Sequence, residues 1–162
     1  MNNPEEPKLT VELVPRTCWY SNVRYEVSRE EWDRIRKQVY KQAGHRCEIC
    51  GKSGVRLHCH EIWEYDDRNL RQILRGLVAL CFDCHQVKHI GLANIQGHGE
   101  EAARHLADVN GWTLKKTDAY LEKVQKLWEE RSLFNWSLDI SYLAKEHRIR
   151  VNIKEEKLRR RS

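Results

Sequence analysis

The stretch CFDCHQVKH, residues 81 to 89, concentrates side chains that bind metal ions. Its cysteines, Cys81 and Cys84, form one C-x-x-C pair, and Cys47 and Cys50 form another. Each pair places two thiols on one tight turn, and two such turns can close a tetrahedral four-sulfur zinc site. Free buried cysteines or a redox-active pair fit this doubled spacing less well. Because a four-thiolate site has no open coordination position, we expect structural zinc here.

The histidines of the same stretch are not needed by that zinc. His85 and His89 are four residues apart, so on a helix they face the same way and can bind one metal ion or one phosphate. Two alternatives remain open: a solvated helical face, or His89 as a spare ligand of the zinc. The adjacent C-x-x-C pair favours a second site.

The segment LHCHEIW, upstream of these histidines, has the features of a strand. A strand places His58 and His60 on one face and Cys59 and Glu61 on the other. The zinc would join the two ends of the intervening segment and so bring the strand against the start of the helix. The remaining ligands should then converge outside the zinc site.

The sequences CEIC, LHCHEIW and LVALCFDCHQVKH together resemble the zinc-bearing branch of the HNH endonuclease family. The resemblance covers residues 44 to 92 and implies a ββα-metal finger, in which a two-stranded ribbon and a helix surround one catalytic divalent ion. The flanking sequences TCWYSNVR and RSLFNWSLDISYL are similar to those of uncharacterised bacterial HNH proteins.

The resemblance also implies site residues. His60 matches the general base, His85 matches the metal ligand of the helix, and His89 matches a later histidine that binds metal or phosphate. Cys59 occupies a position where the family has a metal-binding Asp or His. Two alternatives stay open for Glu61: it orients an imidazole or supports the metal ligands from behind, or it is an ordinary surface glutamate.

The family's middle asparagine is missing. Gly76 occupies its usual position, and Asn69 comes too early in the chain. In the family that asparagine holds a loop and does not react, so its absence weakens the resemblance without refuting it.

The implied activity is hydrolysis of DNA phosphodiester bonds. Neutral His60 would take a proton from water, and a divalent ion, Mg²⁺, Mn²⁺, Ni²⁺ or Zn²⁺, would stabilise the leaving oxygen. If Cys59 binds that ion, its soft thiolate disfavours Mg²⁺. We favour a buried Cys59, since free cysteine is among the most buried residue types.

Charge and composition set the remaining expectations. The 162 residues are 33% charged and 40% hydrophobic, and no apolar run approaches a membrane span. The N-terminus MNNPEEPKLT is not a secretory signal, so we expect a cytoplasmic protein. The net charge of +5 permits a nucleic-acid partner, which the resemblance implies to be DNA. In the basic tail, Arg159, Arg160 and Arg161 either contact phosphates or are simply solvated.

Several elements can be predicted from periodicity and caps. LTVEL alternates like a strand, and Ser28 with Glu31 forms a capping box that opens a helix ended by Gly44. A further helix runs from Cys84 and closes at Gly91. EEAARHLADVNG and TDAYLEKVQKLWEERS predict helices, WSLDISYL fits strand or helix, and RIRVNI alternates like a strand.

The predicted fold is α+β in one compact domain, with a central ββα-metal finger held by the four-cysteine zinc site and flanked by helices. Residues 1–43 form an N-terminal strand and helix, residues 44–92 the finger, and residues 93–162 a helical extension with the basic tail. Two other functions stay open: a non-catalytic zinc-finger module that binds nucleic acid, and a structural zinc adaptor.

Overall fold

The computed structural model describes residues 6–19 and 22–149. Within these ranges the chain forms helices and one small sheet, which is the α+β single domain that was predicted. The helices are α1 (Val23–Glu26), α2 (Arg29–Gln42), α3 (Phe82–Lys88), α4 (Ile90–Ile95), α5 (Gly99–Asn110), α6 (Leu114–Arg131) and α7 (Ser141–His147). The strands are β1 (His58–Asp66), β2 (Arg71–Leu80) and β3 (Ser137–Asp139). Among the described residues, no helix combines the length and the apolar character that crossing a membrane requires.

Strands β1 and β2 form an antiparallel hairpin, and β3 adds to β2 in parallel. The hairpin pairs His58 with Leu80 at its open end and Asp66 with Arg71 at its turn. The Asp66 carboxylate closes the turn by accepting hydrogen bonds from following backbone amides, including that of Asn69 at 3.1 Å. The chain passes directly from the open end of the hairpin into α3.

The hairpin separates two hydrophobic clusters. Successive residues of β2 serve different clusters, because side chains alternate across a strand: Ala79 packs in one and Leu80 in the other. The Leu80 cluster joins the N-terminal segment to α3, α4 and α5. The Ala79 cluster joins α2, β2 and α7. Both faces of the hairpin are therefore supported, which fixes its position relative to α3.

The predicted caps of two helices are confirmed. The Ser28 hydroxyl accepts a hydrogen bond from the Glu31 amide at 3.1 Å and begins α2. Gly44 follows α2 with φ +65°, and Gly111 ends α5 with the same φ. Both glycines adopt the left-handed conformation that only glycine reaches without strain, so each stops its helix where the sequence indicated.

The prediction of a strand at LTVEL is wrong. This segment is extended, but helix side chains rather than a neighbouring strand satisfy its backbone. Asn110 donates to the Leu9 carbonyl at 2.8 Å and accepts from the Leu9 amide at 3.0 Å. The Tyr120 hydroxyl accepts from the Val11 amide at 3.0 Å. The alternation of apolar residues therefore reflects burial along one side of the segment.

The predicted limits of the helix after the second cysteine pair are also wrong. It begins at Phe82, because the Cys81 sulfur caps it by accepting from the Cys84 amide at 3.5 Å. The helical path breaks at His89 (φ −111°, ψ 42°), and Gly91 lies inside α4 instead of closing a helix.

Two further segments differ in extent from the sequence patterns. WSLDISYL contains both a strand, β3, and the start of a helix, α7. In RIRVNI, Arg148 and Ile149 belong to no strand, and the rest of this segment lies outside the described residues.

Candidate metal centres

Four thiols converge at the junction between α3 and the turn after α2. They belong to Cys47, Cys50, Cys81 and Cys84, and their sulfur atoms all lie within 4.8 Å of one another. Cys50 and Cys81 are 3.6 Å apart. A tetrahedron with Zn–S bonds of about 2.3 Å has edges of about 3.8 Å, so this arrangement is compatible with a four-sulfur zinc site.

The first cysteine pair is held in place by the hairpin. The Glu48 amide donates to the Ala79 carbonyl at 2.9 Å, and the Glu48 carboxylate accepts from the Ala79 amide at 2.6 Å. A tight turn returns the Gly51 amide to the Cys47 carbonyl at 2.9 Å. Because Ala79 lies two residues before Cys81, these bonds bring the two cysteine pairs together.

A histidine of α5 contacts one of the four thiols. His105 Nε2 lies 3.2 Å from Cys84 Sγ. An imidazole N–H that donates to a thiolate spreads its negative charge and orients the sulfur. His105 carried no sequence signal, since it lies 21 residues from Cys84 in a helix of ordinary amphipathic pattern.

Three imidazoles form a second cluster outside the thiols. His60 of β1, His85 of α3 and His89 each offer a nitrogen, and these nitrogens lie within 4.8 Å of one another. The ring centroids of His85 and His89 are 4.7 Å apart, and that of His60 lies 5.5 Å and 5.1 Å from them. We name this group the three-histidine cluster. The hairpin strand and the helix thus bring together three histidines that do not belong to the four-cysteine group.

Burial keeps two members of the three-histidine cluster, His85 and His89, neutral. Burial, followed by repulsion from the neighbouring imidazoles, lowers the pKa of His85 to about 3. The same causes, burial first, lower the pKa of His89 to about 4. Neutral imidazoles carry free lone pairs at physiological pH, which is the form that metal ions bind. The residues present therefore fit a divalent ion.

His60 has a carboxylate partner that the sequence did not reveal. His60 Nε2 lies 3.1 Å from Glu12 Oε2, and Glu12 Oε1 lies 3.0 Å from Lys88 Nζ. His60 and Lys88 are each only 5% exposed. A buried lysine needs a counter-ion. The position of Lys88 between the candidate ligands His85 and His89 was the hint in the sequence that an acidic side chain lies nearby. Its partner lies 76 residues away, beyond the reach of any local pattern.

Glu61 does not fill the role expected of it. It lies on the other face of β1, where its carboxylate accepts from the Val23 amide at 2.9 Å and so anchors α1. Burial raises its pKa, although the Val23 hydrogen bond acts in the opposite direction. The carboxylate that contacts His60 is that of Glu12.

Cys59 also faces away from the three-histidine cluster. It packs against the cluster of apolar residues that contains Ala79, and burial raises the pKa of its thiol to about 12. Cys59 is half-buried, and a protonated thiol packed against apolar side chains is a poor metal ligand. In the described structure, the ligand group around His85 contains nitrogen donors without this sulfur.

Another imidazole and two cations lie beside the three-histidine cluster. His58 stacks on His85 with ring centroids 4.9 Å apart and planes 15° from parallel. Burial first, and then the charges of Arg56 and Arg24, lower the pKa of His58. Both arginines are exposed, so positive charge is available to solvent near His58.

The remaining sequence candidates lie elsewhere. Asn69 is in the hairpin turn, at the opposite end of β1 from His58, and donates to Asp66 at 2.8 Å. Gly76 pairs with Ile62 inside the hairpin. The tail arginines Arg159, Arg160 and Arg161 lie outside the described residues.

Comparison of the chain with protein-family models, with curated proteins and with solved structures found no significant match.

Proposed function

We propose that this protein is a metal-dependent endonuclease of the HNH type that hydrolyses DNA phosphodiester bonds. The observation that carries the proposal is the convergence of three imidazoles, one from a hairpin strand, one from the helix that follows it and one from the residue that ends this helix, beside four clustered thiols. The order of the elements, hairpin and then helix, is that of the finger which the resemblance implies. The four cysteines would bind structural zinc, which keeps strand and helix in register.

The three-histidine cluster would bind the catalytic divalent ion. Three imidazoles without an oxygen ligand favour Zn²⁺, Ni²⁺ and related late transition metals over Mg²⁺. A divalent ion bound there would supply Lewis-acid stabilisation of the scissile phosphate and of the leaving oxygen, and would activate water. With Cys59 turned away, the nitrogen donors alone decide the metal preference.

His60 is assigned to ligand binding in this proposal. The resemblance implies a general base at this position, but His60 lies within the ligand group and its Nε2 already contacts Glu12. A base must reach the water that attacks the phosphate, and a side chain only 5% exposed is poorly placed for that. Its geometry instead matches a metal ligand oriented by a carboxylate.

DNA would approach from the side of His58. Arg24 and Arg56 supply exposed positive charge there, and arginines position a nucleic-acid backbone by contacting phosphates without reading sequence. The net charge of +5 would also attract a negatively charged nucleic acid, and this attraction acts over a longer range. A DNA substrate therefore agrees with the charge around the cluster.

The test is cleavage of supercoiled plasmid by zinc-loaded protein with Mg²⁺, Mn²⁺, Ni²⁺ or Zn²⁺ added, or with EDTA. We expect nicking with the late transition metals and less with Mg²⁺. His89→Ala should reduce cleavage to the level of the EDTA control. His98→Ala is the matched control, because His98 is 52% exposed and belongs to neither ligand group.

Two outcomes would contradict the proposal. Equal cleavage by wild type and His89→Ala would trace the activity to a contaminant. DNA binding without cleavage under every metal would leave a non-catalytic zinc-finger module as the better description.

A further inference from the structure

The extended N-terminal segment carries a carboxylate to the three-histidine cluster. Glu12 Oε2 lies 3.1 Å from His60 Nε2, while the second oxygen, Oε1, lies 3.0 Å from Lys88 Nζ. Lys88 also donates to the Thr10 hydroxyl at 2.7 Å. Thr10 therefore contacts Lys88, Lys88 contacts Glu12, and Glu12 contacts His60. Each of these side chains positions the next.

Several contacts hold this segment in place. The Val11 amide, one residue before Glu12, donates to Tyr120 of α6 at 3.0 Å. Leu9 is fully buried and bonds through its backbone to Asn110 of α5. Helices far from the cluster in sequence thus position Glu12, and a finger cut out at residues 44–92 would lack it.

The contacts of Glu12 are those of an ionised carboxylate. One of its oxygens lies 3.0 Å from the ammonium of Lys88, which is only 5% exposed, and the other lies 3.1 Å from His60 Nε2. An ionised carboxylate can only accept, so His60 must donate from Nε2. His60 is neutral when it binds a metal, and its lone pair is then on Nδ1.

We propose that Glu12 is a positioning residue of the second metal site, and that it directs His60 to bind the ion through Nδ1. The inference rests on the metal site of the proposed function. A carboxylate behind a ligand histidine fixes its tautomer and ring orientation and raises its basicity. Lys88 contacts the other carboxylate oxygen, so a bound ion would be held by the three imidazoles.

The first measurement is Co²⁺ binding by zinc-loaded protein, followed by the visible absorption of the ion. Glu12→Gln should weaken binding by about 10- to 100-fold, the usual effect of removing such a carboxylate. Because this variant leaves Lys88 buried without its counter-ion, Glu12→Gln with Lys88→Met is made beside it. Glu64→Gln is the matched control, since Glu64 is an exposed carboxylate of β1 that pairs with Arg75. Unchanged Co²⁺ affinity in the folded double variant would overturn the inference.

The second measurement is histidine ¹⁵N NMR of wild type saturated with Zn²⁺ at both sites. We expect His60 to show a protonated Nε2 and a metal-bound Nδ1. A metal-bound Nε2 would overturn the inference while leaving the metal site intact. If wild type binds no ion beyond the four-cysteine site, the metal site itself fails, and the two failures are thereby distinguished.

Discussion

Cys84 and His85 are consecutive residues of α3, yet their side chains belong to two different ligand groups. Cys84 joins the four thiols, and His85 joins the three-histidine cluster. Successive side chains on an α-helix point about 100° apart, so one short helix can serve two sites. The position of the thiols therefore fixes the position of the second cluster.

The contact from His105 to Cys84 predicts that His105 contributes to zinc retention. His105→Leu removes the 3.2 Å contact with the Cys84 sulfur and should weaken zinc binding by about 10- to 100-fold. Competition with a chromogenic chelator measures this. His98→Leu, a substitution at an exposed histidine beside α5, should leave zinc binding unchanged. Identical zinc release from wild type and His105→Leu would show that the contact has no influence.

The position of His60 predicts that His60→Ala loses the second metal ion and DNA cleavage together. Removing one of three ligands leaves two imidazoles, which bind a divalent ion far more weakly. Metal analysis of the folded variant, with zinc retained by the cysteines, separates this result from that of a general base. Loss of a base would keep the second ion and reduce cleavage by about 100-fold or more. That second pattern would restore the role implied by the resemblance.

The burial of Cys59 predicts that Cys59→Ala keeps both metal ions and most of the cleavage activity in every metal. The thiol packs among apolar residues away from His85, so its removal should cost on the order of 1 kcal/mol of stability. Thermal unfolding and plasmid cleavage are measured side by side. Complete loss of activity, with fold and zinc preserved, would identify Cys59 as a ligand.

The basic tail offers a prediction about DNA binding. If Arg159, Arg160 and Arg161 bind phosphates, deleting residues 159 to 161 should weaken binding equally for all DNA sequences. The slope of log affinity against log salt should flatten by up to about 0.9 for each phosphate that the shortened chain no longer neutralises. Fluorescence anisotropy across a salt series measures the slope, and an unchanged slope would mean that the tail is only solvated.

Local patterns in the sequence predict the features that depend on neighbouring residues. The capping box at Ser28 and the stop at Gly111 depend on residues close to each helix end. The close approach of the four cysteines follows from the repeated C-x-x-C spacing. The grouping of His60 with His85 and His89 follows in turn, because β1 and α3 are joined through the cysteines.

Contacts between distant segments could not be predicted in this way. The partners Glu12 and His60 lie 48 residues apart, and no periodicity links them. The alternation in LTVEL suggested a strand because the side chains of Asn110 and Tyr120, which satisfy its backbone, are invisible to a local pattern. Glu61 is next to His60 in the sequence, but alternation along β1 turns its side chain to the opposite face.

The most direct test of two separate metal centres is the number of zinc ions per chain, measured by native mass spectrometry after incubation with zinc and removal of the excess. Wild type should carry two ions. His85→Ala should carry one, with the fold preserved, because the four thiols remain complete. One ion in wild type, with the same count in His85→Ala, would contradict the account, since the three-histidine cluster would then bind no metal.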